Sequence, residues 1–426
     1  MKMGSKSRDG PHRWGARTST IKLGITWRHA NGDAPRHAMD SVYLDHAATT
    51  PLREEVVEAM RPYAREVFGN PSSLHGRGRD AHAAREEARA DVADALGARP
   101  SEIVFVRGGT ESDNLAVLGS ARARRQEPGA AAPLAVSAVE HSAVLEAARH
   151  ARACGEAELT EVAVADDGSV DLDTLEEVAS RGGATLSVMW VNNETGLVLP
   201  VEAVAQMGLR HGAVVHTDAC QAVGKVPVAL DRVPVDLLTA TGHKLNGPTG
   251  VGILFVRSGT ELAPLLHGGG QERGLRPGTE DVAGAVGFAT ALRLAVEERE
   301  EEARRLEALR SRFEAALTST LPAVRINGGE GTRSPHVSSV GIPDVPDGQA
   351  LLMALDLEGI AVSGGSACHS GAGTGSHVIA ALYGDDDPLA TVRFSFGRGT
   401  TEADVDRAVT VTERVVARLG GAEDAA

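Results

Sequence analysis

Four groups of residues with useful chemistry each follow a short apolar run of the chain. Gly109 and Thr110 come after IVFV, His141 after LAVSAV, Asp218 towards the end of AVVHTDA, and Lys244 after VDLLTA. Ligands of open α/β sheets bind beyond the carboxyl ends of the strands, so residues at these positions can meet at one site.

Each of these residues, taken alone, has an ordinary structural explanation. Lys244 could be a surface lysine, or a nucleophilic amine that forms a Schiff base with an aldehyde. Asp218 could cap a helix, or it could keep the nitrogen of a pyridine ring protonated. His141 could be a buried structural histidine, or it could stack on a flat ring and shuttle protons.

The Gly-Gly-Thr sequence at 108–110 opens a helical pattern and suits a phosphate cradle, although many helices begin with glycine. The order of the four groups is more informative than any one of them. A phosphate cradle, an imidazole, a carboxylate and a lysine, each after a different apolar run, form the layout that a phosphorylated aldehyde cofactor needs.

The elements that must position these residues alternate between strand and helix patterns, which predicts an α/β fold with a mostly parallel sheet covered by helices. The predicted strands are short, β-branched and apolar on both faces. They are Ile103–Val106, Leu134–Val139, Leu186–Val191, Ala213–Ala219, Val235–Ala240 and Val251–Val256. Helical spacing appears at Glu54–Val67 and Ala81–Gly97, and Asp281–Leu317 reads as one long helical stretch.

Composition limits the classes of function. The chain has 426 residues and a net charge of −15, which argues against a direct nucleic-acid partner. The sequence contains no run of about 18 apolar residues, so it predicts no membrane span. Three scattered cysteines predict neither a disulfide framework nor a zinc site, and they favour a reducing compartment, the cytoplasm.

The N-terminal segment differs from the rest of the chain. Residues 1–38 hold eight Lys or Arg and two Asp and show no helical period. A transit peptide is one interpretation, but a disordered tail or an upstream start codon before Met39 is favoured. We therefore expect a tail at 1–40, a large domain at 41–290 and a small C-terminal domain at 291–426.

Ten segments, in order, resemble the cysteine desulfurases of the NifS/IscS type, a branch of the class V aminotransferases. They are YLDHAATTP, GNPSSLHGRG, GGTESDNLA, VEHSAVL, VNNETG, HTDACQAVGK, TGHKLNGPTGVG, HGGGQERGLRPGT, SGGSACHS and VRFSFGR. The resemblance runs from Tyr43 to Arg398. It implies a fold-type I transferase that depends on pyridoxal 5'-phosphate, removes sulfur from L-cysteine, releases L-alanine and passes the sulfur to an acceptor protein.

The resemblance also implies roles for individual residues. The cofactor would be attached to Lys244 and bound by Asp218, Gln221, Gly109, Thr110, Thr241 and His243, with His141 stacked on its ring. Thr279 would reach the phosphate of a partner subunit, which implies a homodimer. Asn193 and Arg393 would hold the substrate carboxylate, and Cys368 would carry the sulfur as a persulfide. The Gly-rich segment Gly364–His377 is expected to be a mobile loop that lets Cys368 travel.

Other interpretations remain open. A selenocysteine lyase, a kynureninase-like hydrolase or an aminotransferase would share the fold, but those that relay no sulfur through a thiol do not need Cys368. A non-catalytic sulfur-relay scaffold would not need Lys244. A metal hydrolase built on His141, His216 and Asp218 lacks a recognisable ligand spacing. The sequence leaves the sulfur acceptor open between iron–sulfur cluster assembly, tRNA thiolation and related pathways.

Overall fold

The computed structural model describes residues 41–125, 129–345, 347–364 and 375–420. The strands, in chain order, are β1 Val42–Tyr43, β2 Ile103–Val106, β3 Ala132–Ser137, β4 Ala157–Val162, β5 Thr185–Ser187, β6 Val214–Asp218, β7 Leu237–Thr241, β8 Gly252–Val256, β9 Arg325–Ile326, β10 Val337–Ile342, β11 Ile360–Ala361 and β12 Ala390–Ser395. The α-helices are α1 Glu54–Arg65, α2 Gly76–Leu96, α3 Gly109–Ala123, α4 Ser142–Ala153, α5 Leu172–Ala179, α6 Val201–His211, α7 Val282–Glu297, α8 Arg299–Thr320, α9 Gly348–Leu357, α10 His377–Tyr383 and α11 Glu402–Gly420.

A seven-stranded sheet in the order β2-β8-β7-β6-β5-β3-β4 carries the candidate site. The five strands from β7 to β4 in this order are parallel to one another. Strand β8 is antiparallel to both β2 and β7. Strands β6, β7 and β8 are buried along their whole length, as the apolar runs predict. The predicted α/β fold with a mostly parallel sheet is confirmed.

Three differences from the predicted elements have physical reasons. Strand β4 lies at the sheet edge. Its mixture of polar and apolar residues does not have the apolar pattern that predicts a buried strand. Strand β5 ends at Ser187, since the chain then turns towards the bridge between Val191 and Val198. The long helical stretch is two helices, α7 and α8, which meet at Glu298, a residue that is C-cap to one and N-cap to the other.

A second apolar cluster lies around the antiparallel sheet β12-β10-β9. It combines residues of α8, α9, β10, β12 and α11 with Val42 and Leu44 from the start of the described chain. Strand β1 pairs in parallel with β11. The segment after β1 is therefore held close to the C-terminal strands, which matters for the site below. The division at residue 290 stays a prediction.

In the part of the chain that the structure describes, no helix is both long and apolar enough to span a membrane.

Candidate active site

A cavity of about 270 Å³ opens at the carboxyl ends of β5, β6 and β7 and beside the N-terminus of α3. It brings together ten of the twelve residues predicted from the sequence. These are Gly109, Thr110, His141, Asn193, Asp218, Gln221, Thr241, His243, Lys244 and Arg393. Most of them follow the ends of strands β2, β3, β5, β6 and β7, as the sheet topology predicts, whereas Arg393 lies within β12 of the other sheet.

One end of the cavity is the start of helix α3. Gly108 precedes this helix with φ 134°, a backbone value that residues with a Cβ atom rarely adopt. This conformation lets the chain turn sharply from β2 into the helix. A Cβ atom on Gly109 would lie 3.1 Å from the Cys220 Sγ atom. The first N–H groups of a helix have no intrahelical acceptor, so this end of the cavity offers donors and a positive dipole to an anion.

Thr241 and His243 line the cavity beside this helix start. Thr241 ends strand β7, and His243 lies in the short 3-10 turn Gly242–Lys244 that follows. The His243 Nδ1 atom is 3.2 Å from the hydroxyl of Thr49. Burial lowers the pKa of His243 to about 4, so its imidazole is neutral at pH 7.

Lys244 ends the same turn, and its amine points to the backbone of the segment after β1. The Nζ atom donates to the carbonyl oxygens of Ala47 and Ala48, each at 2.6 Å. Burial lowers the pKa of Lys244 to about 8. A lysine with such a pKa is partly neutral near pH 7 and is a much better nucleophile than a surface lysine.

Asp218 is the last residue of β6 and is buried. Its Oδ1 atom accepts a hydrogen bond from the backbone N–H of Cys220 at 2.9 Å. This bond is a capping contact, as expected if Asp218 has a structural role. The carboxylate also lines the cavity, as expected if it binds a cofactor ring. The two interpretations are therefore compatible.

Gln221 has both ends of its amide held. Its Nε2 atom donates to the Ala47 carbonyl at 2.8 Å, and its Oε1 atom accepts from His336 Nε2 at 3.0 Å. The Ala47 carbonyl can only accept, so it fixes which end of the amide is NH₂, and one N–H remains for the cavity that Gln221 lines. His336 is fully buried, and burial holds its pKa well below the ordinary value.

His141 precedes helix α4 and caps it. Its Nδ1 atom accepts a hydrogen bond from the backbone N–H of Ala143 at 3.1 Å. Burial lowers the pKa of His141, which keeps the ring neutral. A neutral ring that accepts at Nδ1 carries its proton on Nε2. His141 therefore meets the cavity as a flat ring with one N–H donor.

Arg393 comes from β12 of the C-terminal sheet and is almost fully buried, with 2% exposure. Its Nη1 atom donates to the backbone oxygen of Asn193 at 2.9 Å, and its Nη2 atom lies 2.7 Å from Asp45 Oδ1. The side-chain Oδ1 of Asn193 is buried and accepts no hydrogen bond within the described part of the chain. A buried, oriented guanidinium is suited to an anionic group such as a carboxylate.

Eight lining residues were not predicted from the sequence, and four of these have ionisable side chains: Asp113, Glu194, Cys220 and His377. Burial, and then the negative charge of Asp218, raises the pKa of Asp113 well above its ordinary value. Asp113 lies one helical turn after Gly109, a spacing that could have indicated it. His377 is separated from the strand ends in sequence, and no local pattern marks it.

Two predicted residues are not part of the described cavity. Cys368 lies outside the described residues, between Gly364 and Gly375. Thr279 is exposed, lies in the loop before α7, and is not among the residues that line the cavity. Its contact with a partner subunit stays a prediction.

The structure also shows the partners of Arg107 and of His216, the latter a candidate metal ligand in the sequence analysis. Arg107, next to the helix start, is half exposed and pairs with Asp281 at 3.0 Å. His216, a candidate metal ligand, is buried between the hydroxyls of Ser187 and Thr239 at 2.8 and 3.1 Å. Among the described residues, no group of three or more His, Cys, Asp or Glu side chains could hold a metal ion.

Comparison with known proteins agrees with this geometry. Residues 42–408 match the model of the family described as Aminotransferase class-V. The chain is 41% identical to the cysteine desulfurase IscS of Dictyoglomus turgidum over 382 residues, which are 89% of this chain and 95% of that protein. The solved structure of a NifS-like protein has a TM-score of 0.81 and 36% identity, and covers 89% of this chain and 100% of its own.

A third similarity involves a structure with a ligand. The structure described as SspA in complex with cysteine has a TM-score of 0.71 and 33% identity, over 83% of this chain and 98% of its own. The resemblance inferred from the sequence is confirmed. The chain belongs to the class V aminotransferase family and, within it, to the pyridoxal phosphate-dependent cysteine desulfurases.

Proposed function

We propose that this protein removes the sulfur atom from L-cysteine, releases L-alanine and collects the sulfur on Cys368. The observation that carries this proposal is the convergence on one cavity of a lysine of pKa about 8, a buried carboxylate and the free end of a helix. The structural relative in complex with cysteine supports the choice of substrate.

The residues of the cavity fit pyridoxal phosphate. The start of α3, with the hydroxyls of Thr110 and Thr241 beside it, offers the donors that a phosphate needs. Asp218 supplies a buried anion for a ring nitrogen, and the free N–H of Gln221 suits a phenolic oxygen. His141 presents a flat neutral ring for stacking.

Bound pyridoxal phosphate supplies an aldehyde that combines with amines and a ring that stabilises negative charge at a substrate carbon. Lys244 would hold the cofactor. With the substrate amine bound, the free Nζ atom of Lys244 would accept the proton from the substrate Cα. The depressed pKa of Lys244 suits it to this base role near neutral pH.

Arg393 and Asn193 would bind the carboxylate of the substrate. Asp45 holds one end of the guanidinium at 2.7 Å, and the backbone of Asn193 holds the other at 2.9 Å. Because the Arg393 side chain is already held in place, it loses little conformational entropy when the substrate binds. The substrate would then be fixed with its side chain free to meet Cys368.

The next steps of sulfur transfer rest on Cys368 and on partners. The Cys368 thiolate would attack the substrate sulfur, so that an S–S bond forms while the C–S bond breaks, and the resulting persulfide would pass its sulfur to an acceptor protein. Iron–sulfur cluster assembly and tRNA thiolation are both candidate destinations. We also propose a homodimer, in which Thr279 contacts the phosphate in the partner's site, and a cytoplasmic location, which rests on the few cysteines.

The experiment is to incubate the purified protein with L-cysteine and a thiol reductant, which releases the persulfide sulfur as sulfide, and to measure sulfide and alanine, expected in equal amounts. Lys244→Ala should lose both turnover and the visible absorbance of the attached cofactor. Cys368→Ser should keep the absorbance and lose sulfide release. Cys154→Ser, at an exposed cysteine that ends α4, is the matched control and should retain activity. Full sulfide release from Cys368→Ser would show that the sulfur takes another route.

A further inference from the structure

Two histidines line the cavity next to each other, and backbone partners set which nitrogen of each carries the proton. His141 accepts from the Ala143 N–H at Nδ1, so its proton is on Nε2. Protonation of Nδ1 would break this cap and place a positive charge at the positive end of helix α4. His141 therefore has no nitrogen available to accept a hydrogen bond from a ligand.

His377 has the opposite arrangement. Its Nε2 atom is 2.9 Å from the backbone oxygen of Glu140, and a carbonyl oxygen can only accept, so Nε2 carries the proton. A histidine ring that carries its single proton on Nε2 has its lone pair on Nδ1. Within the described part of the chain, Nδ1 has no hydrogen-bond partner. The third histidine of the cavity, His243, has its Nδ1 atom next to the Thr49 hydroxyl.

The neighbours of His377 hold it in place. Ser376 accepts from the N–H groups of Val378 and Ile379 and caps α10, and its hydroxyl donates to the Glu194 carboxylate. Glu194 is buried, with 1% exposure, and also lines the cavity. The start of α10 is thus joined to the segments that follow β3 and β5, and the imidazole of His377 is held at the cavity wall.

The groups of the substrate differ in what they can offer to a lone pair. The carboxylate of cysteine only accepts hydrogen bonds, and it matches the donors of Arg393. The amine is committed to the cofactor. The S–H group is a weak donor and is the remaining group that an acceptor on the cavity wall can bind.

We propose that His377 recognises the thiol of the cysteine substrate by accepting the S–H hydrogen bond at Nδ1. His377 is then a specificity-determining residue, distinct from the ring-stacking His141. This inference rests on the proposed function, because it takes cysteine as the substrate.

The test compares the binding of two ligands that differ only at this group. L-cysteine and L-2-aminobutyrate, in which a methyl group replaces the thiol, are titrated into cofactor-loaded protein carrying Cys368→Ser, so that cysteine is not consumed. Binding is followed by calorimetry and by the cofactor absorbance. The measured quantity is the preference for cysteine, the ratio of the two dissociation constants.

His377→Phe keeps a flat ring without nitrogens and should reduce this preference roughly threefold to tenfold, as the loss of one neutral hydrogen bond predicts. Its affinity for L-2-aminobutyrate should stay unchanged. His377→Gln should restore part of the preference, since its amide can donate to the Glu140 oxygen and also accept from the thiol. His150→Phe makes the same change at an exposed histidine of α4 that does not line the cavity, so it is the matched control and should keep the preference.

Cofactor content and melting temperature show whether each variant is folded, and His377→Ala replaces His377→Phe if the larger ring is not tolerated. An unchanged preference in the folded variant, or equal weakening of both ligands, would overturn the role of His377. If the Cys368→Ser protein with an intact His377 binds neither amino acid, the proposed function fails first, and this outcome is distinct from the others.

Discussion

Replacing Lys244 with methionine should change how the stability of the cofactor-free protein depends on pH. Burial lowers the pKa of Lys244 from its ordinary 10.5 to about 8 in the folded chain, and unfolding restores the ordinary value. Between these two values the unfolded state binds more protons than the native state, so the stability of the wild type rises with pH across this window. Methionine does not titrate, so the difference between the two proteins reports Lys244 together with its effect on the neighbouring Lys225.

The size of the effect follows from the two pKa values. At roughly 1.4 kcal/mol per pH unit, the interval from about 8 to 10.5 makes the charged lysine cost at most about 3 kcal/mol below pH 8. The loss of the two bonds from Nζ to Ala47 and Ala48 shifts the stability of the variant at every pH and leaves the slope unaffected. Burial, and then the charge of Lys244, lowers the pKa of Lys225 to about 8, so Lys244→Met also reduces the contribution of Lys225 to the slope, and both changes have the same sign.

The assay is urea unfolding of the cofactor-free proteins, followed by circular dichroism from about pH 7 to about pH 10.5. The wild type should gain up to about 3 kcal/mol over Lys244→Met across this range. Arg107→Met is the control, since it removes an exposed guanidinium that stays charged throughout. A difference between wild type and Lys244→Met that is constant with pH, or that grows towards low pH, would refute the assignment of a buried, neutralised amine.

Three further predictions concern the same cavity. Asp45→Asn should raise the KM for cysteine at least tenfold and change kcat less, because it removes the charged partner 2.7 Å from Arg393; an unchanged KM in steady-state kinetics would contradict this support of the guanidinium. Gly108→Ala should lower the free energy of unfolding by about 1–3 kcal/mol and weaken cofactor binding, because φ 134° strains a residue with a Cβ atom; equal melting curves with and without the substitution would contradict it. Borohydride reduction of the loaded enzyme should attach the cofactor at Lys244 and not at Lys225, the only other lysine from residue 41 onward; peptide mass spectrometry that finds the adduct on Lys225 would show that the wrong amine was assigned.

Local patterns were sufficient for much of the fold and most of the site. The buried strands β2, β6, β7 and β8 are runs of apolar, β-branched residues, and the polar residues that follow them are adjacent in sequence to a strand end. Because parallel strands bring their carboxyl ends to one edge of the sheet, the sequence alone places Asp218 and Lys244 at one site. The edge strand β4 lacks this apolar signature and was missed.

The sequence by itself determined the family, the α/β architecture and the chemical types at the strand ends, since each depends on residues that are close together along the chain. The tertiary structure alone decided the environment of those residues. The Lys244 amine meets a carbonyl 197 positions away, and Arg393 meets Asp45 across 348 positions. Burial and hydrogen bonds between such distant segments produce three features of the site: the depressed pKa of Lys244, the bond between Gln221 and His336, and the position of His377 at the cavity wall. No local spacing in the sequence encodes these contacts.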